Sequence, residues 1–250
     1  LDYTVVIPAY NEKELLPRTL AALRVAMGTR PESGEIVVAN NNSTDATAAI
    51  AEANGARVVF EPMNQIARAR NCGASAATGR FLLFVDADTV VSPELLGAAL
   101  DALGRGDTCG GGATIGSSDD LGKAATRSMG FWNRISRTCG LAAGCFVFCL
   151  REGWEAVGGF PTSVYASEEI WFSRALRRWG KPKGLRFRIL PERVDTSMRK
   201  LVWFTPWQLT WHIFSIVLFP WRLRSREACA MWYERPKQTN DPNDQDKNHA

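Results

Sequence analysis

The chain has 250 residues, 46% of them hydrophobic and 22% charged, with a mean hydropathy of −0.15. This is ordinary globular composition, a poor fit to a disordered chain, collagen, a coiled coil or a polytopic membrane protein. Its 30 basic and 26 acidic residues leave a net charge of +4, too slight a bias to favour a nucleic-acid partner. The 6 cysteines are scattered and the 2 histidines lie far from most of them, which argues against structural zinc and for core thiols of a reducing compartment. The first residues show no basic segment leading into an apolar one, so a cytoplasmic protein is expected.

Four short apolar runs come first: Val5-Val6-Ile7, Ile36-Val37-Val38, Val58-Val59-Phe60 and Phe81-Leu82-Leu83-Phe84-Val85. Continuous rather than alternating runs suit strands covered on both faces, as in a parallel sheet. Helical patterns lie between them. Leu16, Leu20, Leu23 and Met27 recur at helical spacing, and Asn11 with Glu14 has the form of a capping box. Ser43 is placed to cap a second helix ending at Gly55, and an alanine-rich third spans Ile66 to Ala77 with Gly79 as its stop. Strand and helix in alternation predict an α/β fold with right-handed crossovers.

Further on, Ser92-Pro93-Glu94 is a helix start with proline at the first helical position. Gly110-Gly111-Gly112 is expected to break the regular pattern. Ala143 to Leu150 reads as a buried strand, Gly158-Gly159-Phe160-Pro161 as a turn, and Ser167 as the opening of a helix that stops at Gly180. From Arg235 onward the chain is polar and reads as a disordered tail.

The strongest chemical signal is Val85-Asp86-Ala87-Asp88, a buried strand running into two carboxylates. Open α/β sheets bind ligands at the carboxyl ends of their strands, and acidic oxygens there suit Mg²⁺ or Mn²⁺ together with phosphate oxygens. Alone, the D-x-D pattern is common and equally describes a solvated turn. Three other segments give it context: Pro8-Ala9-Tyr10-Asn11-Glu12 after the first run, Asn40-Asn41-Asn42-Ser43-Thr44-Asp45 after the second, and Arg68-Ala69-Arg70-Asn71 before the fourth.

In this order and spacing, the segments resemble the family 2 glycosyltransferases over most of residues 3 to 200. The resemblance implies a GT-A, Rossmann-like three-layer sandwich with a mostly parallel central sheet. It also implies an inverting, metal-dependent transferase that moves one sugar from a nucleoside diphosphate sugar, UDP-sugars favoured, to an acceptor hydroxyl on a lipid-linked or cell-envelope glycan. By the same resemblance, Pro8, Ala9, Tyr10 and Glu12 line the nucleotide pocket, with Arg68, Arg70 and Asn71 near it. Asp86 and Ala87 lie on the ribose side, and Asp88, with Asp86, holds Mn²⁺ or Mg²⁺. Asn40 departs from the family's usual aspartate, although its amide oxygen can still accept from uracil N3–H. Gly144 falls where the family presents small residues to donor sugar and acceptor.

Ser167-Glu168-Glu169 matches the family's acidic pair, often Glu-Asp, whose second member is the base. Glu169 is therefore expected to be the base, with Glu168 the fallback. A carboxylate suits that work because it must take a proton from the attacking hydroxyl. The bland reading is that two acids in a first helical turn merely oppose the helix dipole.

Taken by residue, the expected organisation is a domain over 1–200 with its nucleotide-binding half at about 1–90 and its acceptor half at about 91–200. A tryptophan-rich apolar helical segment follows over 201–233, then a tail over 234–250. Ile213 to Phe219 is too short to span a bilayer. Tryptophans beside Arg222, Arg224 and Arg226 suit peripheral contact with the inner face of the cell membrane through 201–226, against packing on the domain's own core or a homodimer contact. The basic run from Arg174 to Arg199 would suit an anionic lipid surface or a lipid-phosphate acceptor. Two rival functions stay open. One is an inactive relative that binds nucleotide or membrane as a scaffold. The other is a sugar-phosphate nucleotidyltransferase, against which the lack of a glycine-rich phosphate loop after the first run counts.

Overall fold

Successive side chains of the first and fourth strands face two different cores, which sets the layering. In the computed structural model, which describes residues 1–116, most of 129–138, 140–197, 220–229 and 233, the four apolar runs become β1 (Tyr3–Ala9), β2 (Gly34–Asn40), β3 (Arg57–Phe60) and β4 (Phe81–Val85). Val5 and Ile7 of β1, with Leu83 and Val85 of β4, face a core filled by Leu16, Leu20 and Leu23 of α1 (Leu16–Gly28) and Leu95 and Leu96 of α4 (Pro93–Gly104). Val6, Leu82 and Phe84 point the other way, onto Ala67 and Ala74 of α3 (Ile66–Ala76) and Phe172 and Leu176 of α6 (Glu168–Gly180). Strands buried on both faces need apolar side chains at odd and even positions alike, which is why their sequences do not alternate.

The remaining elements are α2 (Thr47–Ala53), β5 (Thr89–Val90), β6 (Thr108–Gly116), β7 (Phe146–Leu150), α5 (Arg151–Val157) and β8 (Arg186–Thr196). The strand order is β3-β2-β1-β4-β7-β6-β8-β5. β1 pairs in parallel with β2 and β4, β2 with β3, and β6 with β8, but β7 runs antiparallel to both β4 and β6, and β5 antiparallel to β8. The sheet is therefore mixed: among the described residues four of its seven strand pairings are parallel and three antiparallel, with only β7 and β5 running against the rest. An apolar run covered on both faces looks the same in either direction, so its sequence carried no sign of the reversal at β7.

Three local expectations change. Gly110-Gly111-Gly112 does not interrupt the pattern but lies within β6. A Cβ on Gly111 would come within 2.0 Å of the Arg188 carbonyl oxygen and 2.5 Å of Phe148 Cζ, so glycine here admits the neighbouring strands rather than a turn. The box at Asn11 does not form: α1 begins at Leu16, and Asn11 adopts a positive φ of 52°. Its amide oxygen accepts from Thr44 N–H at 2.8 Å instead, because the loop after β2 offers a nearer donor. Nor does Ser43 cap α2. The position before α2 is Ala46, which has no capping side chain; Asp45 accepts from Thr47 N–H at 2.9 Å, while Ser43 N–H is taken by Asn40 Oδ1. Ser92 caps α4 as expected, accepting from Leu95 N–H at 3.2 Å.

The chain divides into two compact units, Leu1–Met198 and Arg199–Ala250. In the second, two short 3₁₀ turns, Pro220–Arg224 and Glu227–Cys229, are described, with Cys229 buried. The apolar helix expected at 201–219 and the tail from 235 lie outside the described residues. No helix among the described residues is long and apolar enough to cross a membrane.

Candidate active site

The registers bring the carboxyl ends of three strands level. Ala9 of β1 lies opposite Asn40 of β2, and Val85 of β4 lies opposite Phe146 at the start of β7. Pro8, Ala9 and Tyr10 therefore share one edge with Asn40, Asp86, Ala87 and Asp88. The two loops over this edge are tied together. Glu12 N–H donates to Thr47 Oγ1 at 2.7 Å and Asn11 N–H to Ser43 Oγ at 3.0 Å, while Thr47 donates its hydroxyl proton to Asp45.

The D-x-D turn is held from both sides. Thr19 of α1 donates its hydroxyl to the Ala87 carbonyl at 2.9 Å, and Asp86 N–H donates to the Cys145 carbonyl at 3.1 Å. Thr19 was not among the expected residues. Its signal was a polar side chain on the buried face of α1, between Leu16 and Leu20.

Arg70 is the centre of the site. Its guanidinium is only 2% exposed. Nη1 donates to Glu168 Oε1 at 2.5 Å, and Nη2 donates to Asp86 Oδ1 at 2.9 Å and to the Gly144 carbonyl at 2.8 Å. Thus α3, the D-x-D turn, the loop before β7 and the start of α6 meet at one side chain. Burial alone would lower the Arg70 pKa, but the surrounding carboxylates of Asp86, Glu168 and Glu169 raise it instead. Gly144 makes room: a Cβ there would lie 3.3 Å from Arg70 Nη2 and 3.5 Å from Glu169 Cδ.

Glu168 and Glu169 differ in setting. Glu168 is buried against Arg70. Glu169, half-buried, has no such ion pair among the described residues. Burial and, next, the neighbouring Glu168 charge push its carboxyl up to about 8, with Arg70 acting weakly in the opposite sense. Ser167 just before them has a positive φ of 61° and makes no side-chain cap. A capping hydroxyl needs an extended backbone to reach the helix N–H groups, so the expected cap is replaced by a strained turn.

Phe172, one turn into α6, fixes where that turn sits. It stacks on Phe160 with centroids 4.1 Å apart, and Phe160 meets Phe84 edge-on at 4.8 Å. Asn71 holds Phe160 by its backbone: Asn71 Nδ2 donates to the Phe160 carbonyl at 2.8 Å, and Phe160 N–H donates to Asn71 Oδ1 at 2.9 Å. Asn71 is thereby committed to the Gly159–Phe160 turn. Arg68 is half-buried, and its Nε donates to Gln65 Oε1 at 3.1 Å. Gln65, which no motif pointed to, donates in turn to the Thr162 and Val164 carbonyls, both at 2.9 Å.

Among the described residues no three His, Cys, Asp or Glu side chains converge as a metal cage. Hard cations that share phosphate oxygens need only one or two carboxylates, however, and Asp86 and Asp88 supply that donor type. Asp86 is already paired with Arg70. Asp88 lines a recess of about 130 Å³ with Arg18, Thr19 and Asp195.

A layered α/β sheet with acidic side chains gathered at its strand ends defines the class of open α/β proteins, which place their ligands at that edge. The family model for glycosyl transferase family 2 matches residues 4–151, more than half of the chain, and the chain belongs to that family. An uncharacterised glycosyltransferase of Mycobacterium tuberculosis is 42% identical over 85 residues, covering 34% of this chain and 36% of the relative. The undecaprenyl-phosphate 4-deoxy-4-formamido-L-arabinose transferase of Klebsiella pneumoniae is 30% identical over 156 residues, 59% and 47% of the two chains. These matches thus span between about a third and a half of the relatives' own length. Among solved structures, a Pyrobaculum calidifontis mannosyltransferase in complex with GDP-Man and Mn²⁺ shares the fold with a TM-score of 0.63 and 21% identity, over 84% of this chain and 59% of that one. The M. tuberculosis glucosyl-3-phosphoglycerate synthase in complex with Mn²⁺, UDP and glucosyl-3-phosphoglycerate does so with a TM-score of 0.62 and 16% identity, over 87% and 77%.

Proposed function

We propose that this chain transfers one sugar from a nucleoside diphosphate sugar, a UDP-sugar in the first instance, to an acceptor hydroxyl with inversion at the anomeric carbon. The observation that carries the proposal is the Arg70 junction, which ties the Asp86–Asp88 turn to the Glu168–Glu169 pair at the carboxyl edge of the sheet. Family membership supports the reaction class, and the Mn²⁺ and nucleotides of the two structural neighbours support the donor class. The Klebsiella relative's name supports a lipid-phosphate acceptor.

In this reading Glu169 takes the proton of the acceptor hydroxyl while that oxygen bonds to the anomeric carbon. The bond from that carbon to the diphosphate oxygen breaks, and the nucleoside diphosphate leaves with the electron pair. A carboxyl pushed up to about 8 is well matched to accepting a proton near neutrality. Glu168, paired with Arg70, is held in place beside the base. Asp88, with Asp86, would hold a divalent cation, which when bound neutralises charge developing on the leaving diphosphate. Asn40 Oδ1 already accepts from Ser43 N–H. Its second lone pair is available to a base N–H, as an amide carbonyl permits.

Calorimetry of UDP, GDP and dTDP, each with Mn²⁺ and with EDTA, tests the donor site. Metal-dependent binding of one nucleotide, weakened at least about tenfold by Asp88→Asn, is expected, since a nucleotide bound through a shared cation loses that bridge. No binding of any of the three by folded protein would overturn the reading.

A further inference from the structure

Helix α6, the turn after it and the start of β8 expose Trp171, Arg174, Arg177, Arg178, Lys181, Lys183 and Arg186 on the surface. Arg174, Arg177, Arg178, Lys181 and Arg186 line one broad groove of about 770 Å³, floored by Leu185 and Phe187. Among the described residues, Arg174, Arg178, Lys181 and Arg186 make no ion pair, and Lys183 meets the exposed Glu152 at 3.1 Å. Cations crowded this way repel one another, and nothing in the Asp86–Glu169 site uses them. Trp171, a large aromatic left 48% exposed, carries the Arg174 guanidinium at 5.7 Å from its ring centre. Lys183 sits similarly over Trp179 at 4.9 Å.

We propose that this face docks the protein on an anionic phospholipid bilayer. A plane of phosphates meets a dense set of long cationic side chains without requiring any shaped contact, and each such side chain near an anionic surface adds to the attraction. Trp171 has the amphipathic ring that settles at headgroup depth, and arginine stems lie along apolar surface while their heads stay polar. The same helix begins with Glu168 and Glu169, so along one rigid element the docked face runs from Trp171, ~3 Å of axial rise beyond Glu169, to Arg178, ~14 Å beyond it, at ~1.5 Å per residue. The surface is built of other side chains than those proposed for the sugar transfer, and needs neither nucleotide nor metal to act.

The test is co-sedimentation of the full chain with vesicles of pure phosphatidylcholine and of phosphatidylcholine containing phosphatidylglycerol, at low and high salt. Salt-sensitive binding to the anionic vesicles alone is expected, falling at least about tenfold in an Arg174→Glu, Arg178→Glu, Lys181→Glu variant that keeps its melting temperature. The milder Arg174→Gln, Arg178→Gln, Lys181→Gln variant should fall between the two, which keeps the test open if charge reversal impairs folding. Binding that the variants leave unchanged would place any membrane contact elsewhere and overturn the proposal. So would tighter binding of the same face to single-stranded RNA than to the anionic vesicles. Nucleotide calorimetry on the same variants reads the donor site separately and should not change.

Discussion

Arg70 and Glu168, 98 residues apart in sequence, meet through a 2.5 Å hydrogen bond in which both side chains are buried. The pair fixes the first turn of α6 to α3, and through the second guanidinium nitrogen to Asp86. It also leaves the adjacent Glu169 beside a fixed negative charge without an equal share of the positive one. Two neighbouring glutamates that look alike in sequence are thereby given different settings.

The first prediction concerns rate against pH. With Glu169 pushed up to about 8, a base must be deprotonated to act, so turnover should rise with pH through neutrality and level off above about 8. Glu169→Gln should lower turnover by about 10²–10⁴-fold, the range for loss of a general base, while leaving nucleotide affinity within a factor of a few. Steady-state kinetics with calorimetry of the same variant read both. A variant of full activity would move the base to Glu168 or elsewhere.

Stability should follow the same group with the opposite consequence. Its folded pKa lies above that of an unfolded glutamate, so the folded state is favoured most below about pH 4 and loses that contribution as pH rises to about 8. Glu169→Gln removes the ionisation. Relative to the parent, the variant should gain at least about 1 kcal/mol at pH 8 and nothing at pH 4, because each pKa unit is worth ~1.4 kcal/mol. Urea unfolding at the two pH values checks this.

Arg70→Met should cost about 3–5 kcal/mol, because it strands the buried Glu168 carboxylate without its partner. Combining it with Glu168→Gln should recover a large part of that loss, since no buried charge then remains. Chemical denaturation of the single and double variants gives the coupling. Simple additivity would mean that the pair does not act as a unit.

Asn71→Ala should act on stability rather than on nucleotide affinity. Both ends of its amide are spent on Phe160, and removing them leaves a backbone N–H and carbonyl to be resolvated at a cost of about 1–3 kcal/mol. If nucleotide affinity falls tenfold or more while stability holds, Asn71 contacts the donor after all.

What the sequence determined by itself is local and repetitive. Apolar runs too short for helices placed β1 to β4, and those of β1 and β4 are buried at odd and even positions alike. Leucines at helical spacing placed α1, and Ser92-Pro93 placed the start of α4. The order of Pro8–Glu12, Asn40–Asp45, Arg68–Asn71 and Asp86–Asp88 marked out one family and one edge of the sheet, because parallel strands bring successive carboxyl ends to the same side. Tertiary structure decided the rest. The reversal at β7 left no trace in a run that is apolar throughout, and Gly110–Gly112 look like a break unless Phe148 and the Arg188 carbonyl are already beside them. Asn11, Ser43 and Ser167 carry capping side chains whose use depended on which donors and which backbone conformation the fold supplied. Arg70 and Asn71 are adjacent in sequence and point into one segment. Yet one became the junction of two carboxylates and the Gly144 carbonyl, and the other a clamp on Phe160, a distinction set by partners that lie far away along the chain.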